Sequence, residues 1–204
     1  MRTQTFISSM VGVVAAAAVA GSASASITLD FNGVNTSALG YVEPISNPYG
    51  GFNWSASSGV MDDAYFMSTY TRGSDGIAGK ILYTNDGVSA VDAIFNGPGT
   101  INLEQMVVGQ IWPNIEQTAS TQLTITGYKA GNLVATKVVT QTNAQQTVTF
   151  SGAFGDIDKF SIVGSSVGGG YWYGGEIQYS VVPAPGAAAL VGLAGLVATR
   201  RRRN

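Results

Sequence analysis

The chain has 204 residues, a length that predicts one ordinary domain with additional terminal segments. It contains no cysteine and no histidine, which excludes a cysteine nucleophile, a Ser-His-Asp triad, disulfide bonds and the common His/Cys zinc sites. Between Ser26 and Val182 five basic residues stand against twelve acidic ones, a net charge of about −7, so this region repels polyanions and we expect no nucleic acid partner.

The N-terminus has the three parts of a secretory signal peptide. Arg2 supplies a positive charge, residues 11–20 form an apolar stretch, and Ala23 and Ala25 have the small side chains that signal peptidase accepts, which predicts cleavage before Ser26. The apolar stretch is too short for a membrane-spanning helix, which needs roughly 20 residues. We therefore expect residues 1–25 to direct the chain to the export machinery and signal peptidase.

Residues 26–180 show short runs in which apolar and polar residues alternate, the pattern of half-buried strands, separated by turns rich in Gly, Asn and Asp. The predicted strands are 27–31, 51–54, 64–70, 80–84, 90–96, 101–112, 122–129, 133–140, 146–150, 159–164 and 175–180. The clearest signal is a hairpin in which residues 123–129 and 133–139 flank the loop Ala130-Gly131-Asn132. We expect an all-β fold, a two-layer antiparallel β-sandwich of jelly-roll type, with a closed barrel as the alternative.

Three oxygen-bearing residues are candidate metal ligands. Asp30 and Asn32 lie at the end of the first predicted strand, and Glu176 lies in the last one. Ca²⁺ prefers such oxygen ligands, and a structural Ca²⁺ would stabilise a domain that has no disulfides. This prediction requires the terminal strands to be neighbours. The alternative is that Asp30 and Asn32 form a turn and Glu176 faces water.

Glycine-rich stretches flank the aromatic segment Tyr171-Trp172-Tyr173 on both sides. We therefore expect three rings on a flexible loop, where they can stack on the apolar faces of sugars. The alternative is simple packing over the end of the sandwich. The twelve acids can also supply the carboxylate pair of a glycoside hydrolase, but no local pattern singles out a pair, so no catalytic residue is predicted.

The C-terminus has three parts: Val182-Pro183-Ala184-Pro185-Gly186, an uncharged run that ends at Thr199, and Arg200, Arg201, Arg202 and Arg203. A helix of about 14 residues spans about 21 Å, less than the roughly 30 Å hydrocarbon core, so this segment is a marginal anchor. The arginines resist translocation and leave the preceding domain on the far side of the membrane. The prolines favour an extended junction that a protease can reach.

This order of proline motif, short hydrophobic helix and basic end resembles the tail of PEP-CTERM proteins, with Ala184 where that family usually has Glu. The resemblance implies recognition by an exosortase and delivery to the cell surface or to an exopolysaccharide and biofilm matrix. The middle region also resembles the galactose-binding-like β-sandwiches of these proteins. That resemblance is carried by residues 28–33 and 175–179, with Glu176 where the family usually has Asp-Asn or Asp-Asp.

Together these observations predict a signal peptide with a signal helix at 1–25, a β-sandwich at 26–180 and a sorting tail with a hydrophobic helix at 181–204. We expect a non-enzymatic exported protein, held briefly in the inner membrane by its tail with the sandwich outside, and then placed at the cell surface or in the matrix. The alternatives are a carbohydrate-binding module that contacts glycans, or a glycoside hydrolase.

Overall fold

The computed structural model describes residues 25–36, 43–62, 79–110, 119–142, 144–165 and 170–184. Strands and one short 3-10 helix, Gly152–Phe154, make up the regular structure of these residues. In chain order the strands are β1 (Ile27–Leu29), β2 (Glu43–Pro44), β3 (Phe52–Trp54), β4 (Ser58–Asp62), β5 (Lys80–Thr84), β6 (Val91–Phe95), β7 (Thr100–Gln110), β8 (Gln122–Lys129), β9 (Asn132–Thr140), β10 (Gln146–Thr149), β11 (Lys159–Ser165) and β12 (Trp172–Val182). None of the described ranges holds a helix with the length and apolarity to cross a membrane.

The strands form two antiparallel sheets. The larger sheet has the order β10-β7-β12-β5-β4-β2, and β1 pairs with β12 alongside β5. The smaller sheet has the order β3-β6-β11-β8-β9. One cluster of buried apolar side chains from both sheets forms the core. The predicted all-β, two-layer antiparallel sandwich is confirmed. The described strands form two separate sheets and do not form the closed barrel that was the alternative.

Apolar and polar residues alternate along several of these strands, which places one face of each in the core. In β8 the side chains of Leu123 and Ile125 are fully buried, while Thr124 and Thr126 lie on the outer face. The core is centred on Phe52, whose ring is 5.0 to 5.9 Å from four other rings, measured between centroids. These four rings belong to Trp54, Phe95, Phe160 and Tyr179. Aromatic pairs with such geometry contribute about 0.5–1.5 kcal/mol each beyond their burial.

The first and last strands of the described chain are neighbours, as the predicted calcium site required. Thr28 pairs with Gln178 and Leu29 pairs with Ile177 in the β1–β12 ladder. Because this pairing is antiparallel, the start of β1 lies beside the end of β12. The segments that precede Ser26 and follow Val182 therefore leave the sandwich at the same end.

The predicted hairpin is confirmed, with a tighter turn than expected. Lys129 pairs with Asn132, so the loop contains only Ala130 and Gly131. Both loop residues have positive φ, 49° and 79°. A two-residue hairpin turn of this type needs positive φ at both positions, because only then does its twist match that of the strands.

Other strand boundaries differ from the prediction. The short strands β2 and β4 were not predicted, and four of the five residues of β4 are buried, so that strand lacks the alternation that marks a half-buried strand. The last strand begins at Trp172 and ends at Val182, longer at both ends than the predicted 175–180. The predicted strand at 64–70 and most of both predicted terminal helices lie outside the described residues.

Candidate functional site

The predicted exposed aromatic loop is wrong for two of its three residues. Trp172 and Tyr173 begin β12 and are 0% and 1% exposed, and Trp172 belongs to the core cluster. Tyr171 is half-buried, and its ring stacks on that of Tyr83 with centroids 5.8 Å apart and an interplanar angle of 15°. The segment packs into the sandwich, which was the alternative interpretation.

Of the three candidate calcium ligands, Asp30 and Asn32 form a turn, and Glu176 lies in β12. The two Asp30 carboxylate oxygens accept hydrogen bonds from the backbone N–H and from Nδ2 of Asn32, both at 3.2 Å. Asn32 Oδ1 accepts the backbone N–H of Lys80 at 3.2 Å. Glu176 is exposed. Asp30 and Glu176 lie one step beyond the last β1–β12 register pair, which is Leu29 with Ile177. Within the described ranges no three His, Cys, Asp or Glu side chains are grouped so as to hold a metal ion. The Ca²⁺ site at Asp30, Asn32 and Glu176 stays a prediction.

The predicted processing positions lie at the two ends of the described chain. Ala25 and Ser26 are exposed and directly precede β1, whereas Ala23 lies outside the described residues. Val182 is the last residue of β12 and pairs with Thr100, so the sandwich extends two residues into the segment predicted as the tail. Pro183 is exposed and Ala184 is half-buried. The remaining tail positions, Pro185, Gly186, Arg200, Arg201, Arg202 and Arg203, lie outside the described residues.

A cleft of about 520 Å³ lies on the outer face of the seven-stranded sheet, where β7, β10 and β12 meet the loop 150–155. Its volume falls within the range of about 300–1,000 Å³ that is usual for small-molecule sites. Uncharged polar side chains form much of its lining: Asn102, Gln105, Thr149, Ser151 and Gln178. Such a lining suits a ligand that carries many hydroxyl groups, since amides and hydroxyls both donate and accept hydrogen bonds.

The β7–β12 ladder has two irregularities, and one of them lies at this cleft. Gln178 pairs with Gln105 while the next residue, Tyr179, pairs with Leu103, so Glu104 is an extra residue in β7. A second register shift separates Gly174 from Ile177 on β12. Bulges turn side chains away from the regular alternation and are common beside functional sites. Here the bulge at Glu104 leaves both Glu104 and Gln105 half-buried and in the lining of the cleft.

A row of uncharged polar side chains crosses four neighbouring strands through the cleft. The register pairs Thr28 of β1 with Gln178 of β12, Gln178 with Gln105 of β7, and Gln105 with Thr149 of β10. Register partners share one face of a sheet, and strands lie about 4.8 Å apart, so the row extends about 14 Å. Among the described residues, no hydrogen bond occupies the side-chain amide of Gln105 or Gln178.

Glu104 supplies the only carboxylate in the described lining of the cleft. Its Oε2 accepts a hydrogen bond from Ser26 Oγ at 2.6 Å. Strands β1 and β7 lie on opposite sides of β12, so the Glu104 side chain crosses the outer face of β12 to reach Ser26. This contact connects the residue before β1 to the rim of the cleft.

Asn102 fixes the loop that forms one wall of the cleft. Its Oδ1 accepts the backbone N–H of Asp156 at 3.1 Å, and its Nδ2 donates to Ser180 Oγ at 3.4 Å. The Asp156 carboxylate pairs with Lys129 and accepts a hydrogen bond from Thr100 Oγ1 at 2.7 Å. These two donors hold the pKa of the Asp156 carboxyl below its usual range. The wall is thus tied to both sheets.

The loop 150–155 also contributes an aromatic side chain to the cleft, and a lysine lies beside that side chain. Phe150 lines the cleft and packs against Phe154 with centroids 4.7 Å apart. Lys137 of β9 donates from Nζ to the carbonyl oxygen of Thr149 at 2.8 Å, and its Nζ lies 6.0 Å from the centroid of the Phe150 ring. Lys137 therefore connects the edge strands of the two sheets beside the cleft.

The sequence did not single out Glu104, Gln105, Thr149 or Gln178 as site residues. A faint signal is present, because Gln105 and Gln178 are uncharged polar residues within predicted strands whose alternate positions are apolar. That pattern is typical of any outward-facing strand position. The residues form a site only through the pairing of β7, β10 and β12, which the sequence does not specify.

No protein-family model matches the chain, and no curated protein matches it. Among solved structures it is similar to a mutant of the family 29 carbohydrate-binding module CBM29-2 complexed with mannohexaose, with 11% identity and a TM-score of 0.42, covering 78% of this chain and 93% of that one. It is also similar to the family 32 module of C. perfringens NanJ in complex with galactose, with 16% identity, a TM-score of 0.37, and 64% and 94% coverage. The xylan-binding domain CBM22-1 of Paenibacillus barcinonensis Xyn10C shows 10% identity, a TM-score of 0.35, and 78% and 94% coverage. These identities and TM-scores are too low to assign a role to any residue.

Proposed function

We propose that the sandwich is a non-enzymatic module that binds a neutral glycan in the cleft on its seven-stranded sheet. The observation that carries this proposal is the row Thr28, Gln178, Gln105 and Thr149, which presents amides and hydroxyls along about 14 Å of one sheet face. That length allows contact with more than one sugar ring. Each amide can bind a sugar hydroxyl as donor and as acceptor.

Charge favours a neutral ligand over an anionic one. Residues 26–182 carry a net charge of about −7, with twelve acids and five bases, and the cleft itself contains Glu104. An acidic polysaccharide would be repelled at long range by this net charge. We therefore expect the glycan to lack carboxylate, sulfate and phosphate groups.

The lining of the cleft favours binding over hydrolysis. Glycoside hydrolases use two carboxyl groups that flank the scissile bond, about 5 to 9.5 Å apart. Among the described lining residues Glu104 is the one carboxylate, and it accepts a hydrogen bond from Ser26. A single, already engaged carboxylate supports a binding role.

The binding proposal can be tested by retention of the purified full-length chain on insoluble or gel-immobilised polysaccharides. The panel contains the neutral polymers galactan, mannan, xylan and cellulose, and the acidic polymer alginate. We expect retention on at least one neutral polymer and none on alginate. Gln105→Ala and Gln178→Ala should each weaken binding about 2- to 10-fold, the effect of losing one hydrogen-bonding group of about 0.5–1.5 kcal/mol.

Gln122→Ala is the matched control, because Gln122 is an exposed amide on β8 of the opposite sheet. Its retention should equal that of the wild type. Far-UV circular dichroism checks that every variant is folded. Absence of retention on all neutral polymers, or equal retention of the two cleft variants and the control, would contradict the proposal.

We also propose that the chain is exported and sorted by an exosortase to the cell surface or an exopolysaccharide matrix, as its PEP-CTERM-like tail implies. The antiparallel pairing of β1 with β12 supports this topology. Ser26 precedes β1 and Pro183 follows β12, so both junctions lie at one end of the sandwich. A signal segment and a tail helix can therefore occupy the same membrane while the sandwich stays on one side.

Export and sorting are tested by a reporter fused after residue 182 within the complete chain and by mass spectrometry of the mature protein. We expect the reporter outside the cytoplasm and a mature chain that has lost Arg200–Arg203. Replacement of the four arginines by Ser should reduce retention at the inner membrane, since the positive charges hold the end of the tail in the cytoplasm. A cytoplasmic reporter, or surface protein that keeps Arg203, would contradict the proposal.

A further inference from the structure

The contact between Ser26 and Glu104 lies at the position where signal-peptide removal would change the chemistry of the chain. Ser26 Oγ donates to Glu104 Oε2 at 2.6 Å, across the outer face of β12. Both residues are accessible, since Ser26 is exposed and Glu104 is half-buried at the rim of the cleft. The Ser26 backbone nitrogen is three covalent bonds from Oγ, so it lies close to the same carboxylate.

We infer that the α-ammonium group created at Ser26 by signal-peptide removal binds the Glu104 carboxylate and forms one end of the cleft. This inference rests on the proposed export. Hydrolysis of the Ala25–Ser26 peptide bond consumes one water and leaves a carboxylate on Ala25 and an ammonium group on Ser26. The neutral amide nitrogen, with at most one N–H, thereby becomes a cation with three donors beside Glu104.

The surrounding charges make Glu104 the partner of this ammonium group. Strand β1 contains no charged residue. Its paired strand β12 carries Glu176, and β7, on the far side of β12, carries Glu104. Glu176 lies one step beyond the pair Leu29 and Ile177, at the opposite end of β1 from Ser26. The ammonium group balances the charge of Glu104, which is the one charged residue in the described lining of the cleft, and this suits a neutral glycan.

The inference is tested on the chain exported from its native leader, with the mature N-terminus read by mass spectrometry. Competitive labelling with acetic anhydride then measures the reactivity of the α-amine, because only the unprotonated amine reacts. Pairing with Glu104 keeps the group protonated, so labelling at neutral pH should be about fivefold slower than for an unpaired N-terminus. This factor corresponds to two unit charges about 4 Å apart in water.

Glu104→Gln should restore the faster labelling, and Glu176→Gln is the control that should leave the slow rate unchanged. Glu104→Asp is a second variant, which keeps the charge but shortens the side chain, so it should also label faster. Equal rates in the wild type, Glu104→Gln and Glu104→Asp would overturn the inference while leaving export and glycan binding intact. A mature N-terminus at any residue other than Ser26 would also overturn it, and an uncleaved leader would in addition remove the export proposal.

Discussion

The side-chain amide of Asn47 makes two hydrogen bonds to the backbone of Trp54. The Trp54 N–H donates to Asn47 Oδ1 at 2.6 Å, and Asn47 Nδ2 donates to the Trp54 carbonyl oxygen at 2.8 Å. Trp54 ends β3, an edge strand of the five-stranded sheet, so its outward backbone groups have no neighbouring strand to pair with. The Asn47 amide thus satisfies the backbone N–H and C=O of Trp54, which a neighbouring strand would otherwise do, and covers this edge of the sheet.

Loss of this amide should destabilise the fold. We expect Asn47→Ala to lower the free energy of unfolding by about 1–3 kcal/mol, because two partly buried hydrogen bonds are lost at about 0.5–1.5 kcal/mol each. Urea denaturation followed by circular dichroism measures the change. Asn53→Ala is the control, since its side chain makes one long exposed hydrogen bond, 3.4 Å to Asn96, and its effect should be within about 0.5 kcal/mol. Equal losses in both variants would contradict the assigned role of Asn47.

The Tyr173 ring requires a glycine opposite it on β7. Gly109 pairs with Tyr173, and a Cβ at Gly109 would lie 2.2 Å from Tyr173 Oη and 2.3 Å from Cζ. We expect Gly109→Ala to lower stability by about 1–3 kcal/mol, since the buried ring must move to accommodate the methyl group. Gly152→Ala is the control, because no atom lies within 4 Å of a Cβ at that position. Thermal unfolding that is equally affected by both substitutions would argue against this packing.

Stability should decrease in acid in part through Asp86. Its carboxylate accepts hydrogen bonds from the Ser89 side chain and from the backbone N–H groups of Ser89 and Val88, at 2.8 and 3.0 Å for the backbone donors, and these bonds hold its pKa below the usual value. The folded state is therefore favoured when Asp86 is ionised. This contribution is complete well above the usual aspartate pKa of about 3.9 and disappears as the pH falls through the lower folded-state pKa.

The measurement compares urea midpoints at pH 6 and pH 3 for the wild type and Asp86→Asn. The amide keeps an acceptor for the two N–H groups but does not titrate, so the variant should lose less stability on acidification than the wild type. The difference should be small, since Asp86 is exposed and water screens its charge. Identical pH dependence in the two proteins would contradict the prediction.

Calcium should not stabilise this domain. Both Asp30 oxygens and Asn32 Oδ1 already accept hydrogen bonds from Asn32 and Lys80, so a bound ion would compete with these donors. We expect the same melting temperature with 5 mM Ca²⁺ and with EDTA, on the order of concentrations that would fill even a weak extracellular-type site. A higher melting temperature with Ca²⁺ that disappears in Glu176→Gln would show instead that Asp30, Asn32 and Glu176 form the site predicted from the sequence.

The hairpin of β8 and β9 illustrates what local patterns could predict. Two runs rich in β-forming residues flank a short loop that carries a glycine, so both the pairing and its place in the chain follow from nearby residues. The aromatic segment illustrates the opposite case. Glycines on both sides of Tyr171-Trp172-Tyr173 indicated a loop. In the structure, however, Gly174 and Gly175 lie inside β12 and are buried.

The sequence by itself determined the all-β character, the core-facing side of the alternating strands and the exclusion of cysteine and histidine chemistry, because these depend on composition and on residues one or two positions apart. Only the tertiary structure decided that Gln105 and Gln178 are neighbours, that Glu104 reaches Ser26 and that Trp172 is buried. Those relationships depend on which distant strands pair and in which register. A bulge of one residue, such as that at Glu104, changes the side of the sheet on which a side chain lies without leaving a mark in the local sequence pattern.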